Sequence, residues 1–296
     1  MMSLGVVDLF RNLQIKCTFG LPDMAITTII EADSPIQYWR KIKETWQYRN
    51  LLSMLSYRDI RVRYAQTLLG MAWAIINPLL SVLLLYFVFG VVVKVDTQGV
   101  PPLIFTMAGI CSWNYFSRVV GEAGGSVIGA QSLVKKIYFP RLIIPLSKSI
   151  AAFIDLCIVL IILGVMMVIY QIPITWQALM IIPFTGLTVL AGIAFGVWVA
   201  ALSIRYRDFT HILPLILRIG MFLSPIAYGA TLVPGPYKWA FSLNPLTGII
   251  EGFRWALFHT PLDITSVWVS IGVTLIVLTG GIWYFLRMDQ YIADII

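Results

Sequence analysis

Five ionisable residues stand in stretches that are otherwise apolar: Arg118 and Glu122, Lys148 and Asp155, and Arg218. Charges inside a membrane segment are costly, and they usually face a bundle interior or a water-filled path. Arg118 and Glu122 are spaced i,i+4, so on a helix they can neutralise each other. Lys148 and Asp155 share a helical face. Arg218 has no such neighbour and sits roughly 12 Å from either end of its apolar run at 1.5 Å per residue. For Arg118 and Lys148 two readings stay open. One is structural pairing or snorkelling to an interface; the other is an aqueous or anion-tolerant passage. Arg218 favours the passage. Covalent chemistry has less to stand on. His211 and His259 are the only histidines, both near the ends of apolar runs and without an obvious partner. There is no G-x-x-x-x-G-K-S/T, no G-x-G-x-x-G and no C-x-x-C. Cys17, Cys111 and Cys157 are far apart and read as small buried hydrophobes. No catalytic residue, metal site or bound cofactor is expected of this chain, and it has no P-loop with which to hydrolyse ATP.

The elements that must hold those charges follow from composition. Of 296 residues, 59% are hydrophobic and only 12% charged, with a mean hydropathy of +0.87. A soluble domain is about 45–50% apolar and about 25% charged. The chain therefore lacks the polar surface to coat a soluble globule. Disorder, a disulfide scaffold and most soluble enzymes are excluded, and an all-α polytopic membrane protein is expected. About 20 apolar residues cross a bilayer, and six stretches qualify: about 68–93, 103–127, 142–170, 176–204, 210–230 and 264–286. The second is the weakest, because Asn114, Arg118 and Glu122 interrupt it. Between the fifth and sixth, residues 231–263 are apolar and aromatic but cut by Pro234, Pro236, Pro245 and Pro261, so neither long piece can span. Residues 1–30 lack an unbroken apolar run of the kind found in a cleavable signal.

Orientation follows from Lys and Arg placement. With the N-terminus inside, fifteen of the 21 basic residues fall on inner segments and three, Lys94, Lys238 and Arg254, on outer ones. Arg118, Lys148 and Arg218 lie within spans. The net charge of +7 is thus mostly a topology signal, and nucleic-acid binding is not needed to explain it. Both termini are expected in the cytoplasm.

Three further segments carry information. Residues 46–64, WQYRNLLSMLSYRDIRVRY, place Tyr48, Leu51, Leu52, Leu55 and Val62 on one helical face, with Arg58 and Arg61 to one side and an i,i+4 pair of Asp59 with Arg63. This describes an amphipathic helix flat on the inner leaflet, either as a plain anchor, as a docking surface for a cytoplasmic partner, or both. The inner loop QSLVKKIYFPR, 131–141, carries Lys135, Lys136, Tyr138, Phe139 and Arg141. Its aromatics exceed what a turn needs and point to a partner surface. In the Pro-broken segment, Asn244 before Pro245 reads as an N-cap with proline at the first helical position. Glu251 and Arg254 follow at i,i+3. Irregular backbone at membrane depth must be buried in protein or line a wet cavity. A re-entrant outer-side helix pair that caps a pathway is the preferred reading, with a loop resting on the headgroups as the alternative. Aromatics cluster near span entrances, at Tyr57, Tyr64, Trp73, Tyr86, Trp113, Tyr115 and Phe116, and such faces suit a channel for sugar chains.

The ordered set RDIRVRYAQTLLGMAWAIINPLL (58–80), LVKKIYFPRLIIPL (133–146), LSIRYRDFTHILP (202–214), FLSPIAYGATLVP (222–234) and NPLTGIIEGFRWALF (244–258) resembles the permease subunit of ABC-2-type polysaccharide exporters. These carry O-antigen, teichoic acid and related capsular glycans. The likeness covers about residues 40–290 and implies the type V exporter fold. It divides the chain into an N-terminal cytoplasmic segment (1–45), an interface helix (46–66) and a transmembrane domain (67–296). It implies a bacterial inner-membrane unit of two permeases and two cytoplasmic ATPase subunits, with ATP and Mg in the partner. Arg58, Arg61, Arg63, Tyr64, Lys135, Lys136, Tyr138, Phe139 and Arg141 would then couple to the ATPase. Tyr64, Trp73, Asn77, Tyr86, Trp113, Tyr115, Phe116, Arg118 and Arg218 would line the channel. Tyr237, Trp239, Asn244, Pro245, Glu251 and Arg254 would form the periplasmic gate. The implied substrate is a polysaccharide on undecaprenyl diphosphate, whose diphosphate would meet Arg118 or Arg218. Residues 1–39 lie outside the pattern, and 1–23 read as an over-extended start or a small adaptor.

Competing functions are an ABC-2 exporter of teichoic acid, capsule, lipids or small hydrophobic compounds, a membrane-embedded glycan-modifying enzyme and a secondary transporter. The enzyme would need an intramembrane catalytic His or paired carboxylates. The secondary transporter would usually show an inverted repeat with broken spans in both halves, whereas one broken region is visible here.

Overall fold

The computed structural model describes residues 35–65 and 69–295. Expectations for 1–34 and for Gln66–Leu68 lie outside the described residues. No strand occurs among the described residues.

Two helices precede the bundle: α1 (Pro35–Gln47) and α2 (Arg49–Tyr64). The bundle itself comprises α3 (Trp73–Leu85), α4 (Pro102–Gly129), α5 (Ile143–Ile169), α6 (Ile181–Arg205), α7 (Phe209–Phe222), α8 (Gly235–Ser242), α9 (Pro245–Phe258) and α10 (Ile264–Ile295). Helix α3 is entered through a 3-10 turn, Gly70–Ala72, and continues into a π-helical turn, Tyr86–Val92. Among the described residues, four stretches are long and apolar enough to cross a membrane: Gly70–Val92, Ile143–Ile169, Trp176–Arg205 and Ile264–Asp289. Helix α4 is also long, about 42 Å at 1.5 Å per residue, but Asn114, Arg118 and Glu122 dilute its apolar character.

The expected fifth span, 210–230, differs. Its helix stops at Phe222, which is 14 residues and about 21 Å. Proline 225 explains the stop: its ring disfavours helical backbone at Ser224 and removes a donor. Residues 224–229 are irregular and return along α4. A Cβ at Gly109 would stand 2.6 Å from the Ile226 carbonyl oxygen, so this approach requires glycine there.

Helix α4 is the central post. It packs against α5, α6, α7 and α9. Gly196 of α6 faces Ala123 of α4, where a Cβ would lie 3.2 Å away. In lipid the drive for such contact is close packing rather than water release, and small residues allow it. One core gathers Ile104, Met107, Phe116, Leu246, Ile250 and Phe253 around α4 and α9. A second joins Leu55 of α2 to Phe139, Ile143, Val197 and Phe285.

Helices α3 and α7 contrast with this core. Leu213 is the one buried residue of α7. Leu80, Leu83, Leu84 and Phe87 near α3, and Leu215, Ile216, Ile219 and Phe222 on α7, are exposed in the single chain.

Candidate functional site: a charged cavity and a buried clamp

Helix α2 lies on α5, seated by Tyr48, Leu51, Leu52 and Leu55. Val62, expected on the same stripe, is exposed; further along the helix the inward positions are Ser56, Asp59 and Arg63. The charge pairing therefore differs from the i,i+4 scheme. Asp59 does not meet Arg63. Its carboxylate accepts from Lys148 Nζ at 2.7 Å and from Arg58 Nη2 at 2.9 Å. Burial alone would raise the Asp59 carboxyl; the hydrogen bonds from Lys148 and Arg58 outweigh it and hold the pKa below the usual carboxylate range.

Arg63 reaches between two bundle helices. Nη2 donates to both Glu122 oxygens at 2.8 and 2.9 Å, and Nη1 donates to Asp155 Oδ2 at 2.6 Å. Arg118 Nη1 donates to the same Asp155 oxygen at 2.5 Å, and the Tyr64 hydroxyl donates to Oδ1. Arg118 and Glu122 thus do not neutralise each other, nor do Lys148 and Asp155. Each takes a partner brought by another helix: Arg118 meets Asp155 across α4 and α5, while Arg63 and Asp59 of α2 meet Glu122 and Lys148.

Arg118, Glu122 and Asp155 of this cluster line a cavity of ≈ 480 Å³ between α3, α4, α5 and α7, and Arg63 of α2 holds the two carboxylates without being part of that lining. Asn77, Ser81, Asn114 and Ser117 supply amide and hydroxyl groups, and Trp73 and Tyr115 supply aromatic surface. Of the residues expected to line a channel, Trp73, Asn77, Tyr115 and Arg118 face it. The Tyr115 hydroxyl is within 2.5 Å of Ser149 Oγ. Trp113 and Phe116 are core side chains instead: their centroids are 5.9 Å apart, and Phe116 lies edge-on to Phe195 at 5.3 Å. Tyr86 begins the π turn and does not line the cavity. Arg218 is on the exposed face of α7, with no ion-pair or hydrogen-bond partner among the described residues.

In the 131–141 loop, Lys135, Lys136 and Tyr138 are exposed, whereas Phe139 is buried in the core beneath α2. Arg141 Nη1 donates to the Asp289 backbone oxygen at 2.6 Å, tying the loop to α10. Arg58 and Arg61 are exposed.

The Pro-broken segment forms two helices, as its sequence suggests. Asn244 Oδ1 accepts from Leu246 N at 3.0 Å and caps α9, with Pro245 at its first position. The Asn244 amide also donates to Ser224 Oγ at 2.9 Å. Helix α9 is buried against α4, α6 and α10, while Tyr237 and Trp239 of α8 are exposed. Arg254, counted in sequence among outer basic residues, is fully buried. It donates to the Ile226 and Tyr228 carbonyls at 2.7 and 3.0 Å and to Glu251 at 3.3 Å, and it covers the Phe105 ring at 3.5 Å. Glu251 accepts from Ala230 N at 3.1 Å. The pair holds the irregular 224–230 stretch against α9. The signal that finds this in sequence is the i,i+3 spacing just after a proline-rich break. The Arg63 network has no such signal, since its partners are 59 and 92 residues away.

No group of three or more His, Cys, Asp or Glu among the described residues could hold a metal ion. Comparison with known proteins fits a transport pathway. A family model described as ABC-2 type transporter matches residues 50–258. The O-antigen export system permease protein RfbA of Klebsiella pneumoniae is 24% identical over 249 residues, covering 83% of this chain and 95% of that protein. A Myxococcus xanthus protein of the same name is 26% identical over 226 residues, 74% of this chain and 84% of that one. The polysialic acid transport protein KpsM of Escherichia coli is 25% identical over 214 residues, 69% and 79%. The chain is a multi-pass membrane protein that belongs to the ABC-2 type transporter family.

Proposed function

We propose that this chain is the permease subunit of an ATP-driven exporter that carries an undecaprenyl-diphosphate-linked polysaccharide of O-antigen type out of the cytoplasm. The near full-length match to O-antigen export permeases carries the reading. The polar and aromatic cavity supports it, since hydroxyl and amide groups beside Trp73 and Tyr115 suit sugar rings. A second copy would cover the exposed apolar faces of α3 and α7, and two separate ATPase subunits would dock near α2 and the 131–141 loop. Their contacts would include Arg58, Arg61, Lys135, Lys136 and Tyr138. The basic bias supports inner-membrane insertion with both termini in the cytoplasm. Helices α8 and α9 would cap the outer end.

The match to the polysialic acid transport protein favours a second reading, export of a capsular polymer. Co-expression and co-purification with candidate exporter ATPase subunits from the same organism, followed by hydrolysis assays in nanodiscs, tests both. Stimulation by lipid-linked O-antigen supports the first reading. Stimulation by capsular polymer alone supports the second, and the absence of any ATPase in the complex overturns both.

A further inference from the structure

Three ionised groups line the cavity, and a fourth, which pairs with two of them, comes from a less fixed element. Arg118 and Glu122 belong to α4 and Asp155 to α5, both packed in the core of the bundle. The fourth, Arg63, is in the last turn of α2, which lies outside the spanning stretches and packs mainly on α5. The lining holds one cation and two carboxylates, so its charge is balanced only with Arg63 in place. We propose that Arg63 is a positioning residue through which α2 sets the charge of the cavity: seated, it leaves the wall neutral, and withdrawn, it leaves the wall net acidic.

Three observations carry this. First, Arg63 holds both carboxylates at once, with distances of 2.6 to 2.9 Å. Removing its side chain therefore leaves Glu122 without its cation and Asp155 with Arg118 and Tyr64. Second, the contact is neither sealed nor solvated. The Arg63, Glu122 and Asp155 side chains are 18%, 34% and 13% exposed, so ions can separate without the cost of stranding a fully buried charge. Third, a separate tether limits the travel of α2. Asp59 is held by Lys148 of α5, and Ser56 Oγ reaches the Ser147 carbonyl at 3.3 Å. A helix pinned near its middle and ion-paired at its end can tilt so that Arg63 moves while Asp59 stays. A neutral wall tolerates uncharged polyhydroxylated chains and anions alike, whereas an acidic wall repels an anionic group and favours its departure. The link to ATP rests on the exporter reading above; the link between Arg63 and cavity charge does not.

The test places a reporter thiol on the cavity wall, N77C, in a chain with Cys17, Cys111 and Cys157 replaced by alanine. Its reaction rates with a cationic and an anionic methanethiosulfonate of similar size are compared. A unit charge at about 12 Å and an effective dielectric of about 20 alters local concentration roughly tenfold. In R63Q the cationic reagent should gain and the anionic one lose by up to that factor each, while R63Q/E122Q should return to the starting ratio. An unchanged ratio in R63Q overturns the proposal, and so does a ratio in R63Q/E122Q that stays shifted, since that reports altered shape rather than charge. In the complex with its ATPase, a non-hydrolysable ATP analogue should shift the ratio in the Arg63 protein but not in R63Q/E122Q. If the analogue shifts neither while R63Q alone does, the movement of α2 is overturned and the electrostatic role of Arg63 stands. If no ATPase joins the complex, the exporter reading fails and the thiol result still decides the role of Arg63.

Discussion

Two arginines, Arg63 and Arg254, each bind a glutamate in this molecule, and they do opposite jobs. Arg254 and Glu251 are on one helix, with side chains 1% and 6% exposed, and they bond backbone atoms of the 226–230 stretch. Arg63 and Glu122 are on separate helices, partly exposed, and their third partner is another side chain, Asp155. A buried charge whose partners are carbonyls cannot leave without stranding them, so the Arg254 clamp is a permanent fastening. An arginine that shares carboxylates at a cavity edge can let go, because water and Arg118 replace part of what it gave. The difference lies in who holds the other end: fixed backbone in one case, exchangeable side chains in the other.

Replacement of Arg254 by alanine breaks the comparison most severely. It leaves Glu251 buried without its cation and the Ile226 and Tyr228 carbonyls without their donor. A loss of about 3–5 kcal/mol is expected, seen as low membrane abundance and a large drop in the thermal transition in detergent. G109V attacks the same 224–230 stretch from the α4 side. It should cost about 1–3 kcal/mol, because the first added carbon already meets the Ile226 carbonyl. If R254A unfolds no more readily than R63Q, the distinction between fastening and exchangeable contact falls.

Replacement of Arg63 by glutamine should cost less stability, about 1–2 kcal/mol after allowance for solvent screening. Its effect on export should nevertheless exceed its effect on abundance. The informative quantity is glycan exported per ATP hydrolysed, compared with folded protein measured in the same membranes. A parallel fall in both marks Arg63 as structural only.

These two sites were unequally legible. The N-cap Asn244 with Pro245 and the helical character of 49–64 follow from local patterns, because caps and periodicity are properties of neighbouring residues; the break at Tyr48, which gives Trp46 and Gln47 to α1, does not. The Glu251–Arg254 pair was visible for the same reason. Spacing within one helix puts Arg118 with Glu122 and Asp59 with Arg63, and neither pair forms. Arg118, Glu122, Lys148 and Asp155 each find their partner on another helix, and Asp59 holds Lys148 of α5 beside its own neighbour Arg58. Spacing ranks partners that a helix brings together and is silent about those that packing brings. The fifth span was overextended because hydropathy continues through 223–230 while Pro225 ends the helix. Trp113 and Phe116 looked like channel wall since an aromatic side chain serves a core and a cavity equally well.

The Asp59 tether gives a smaller and pH-dependent effect. Its carboxyl titrates lower in the fold than in the unfolded chain. Its stabilisation is therefore complete above the unfolded value of about 3.9 and is lost as pH falls through the lower folded value. Amide exchange in α2 should be flat from pH 8 to 5, after correction for intrinsic rates, and quicken only below about 4. In D59N the step should disappear. Loosening already present at pH 6 would mean that another group governs the seat of α2.

The smallest stability effect is expected at Arg218, and that is its value. Exposed on α7 and without a partner among the described residues, it contributes nothing that its removal could strand. R218A should change stability by less than about 0.5 kcal/mol. An unpaired cation on an apolar helix is nonetheless costly to insert, so a loss of export at normal abundance would give it a transport role that Arg118, held by Asp155, does not share. Export rates of R218A, R118A and the unaltered chain, each normalised to folded protein, separate the cases. A defect in R218A with near-normal folding marks the charge along the pathway that the fold leaves available to an anionic substrate group. Normal export by R218A would leave Arg218 as a snorkelling or lipid-facing charge, and the anion would have to compete with Asp155 for Arg118.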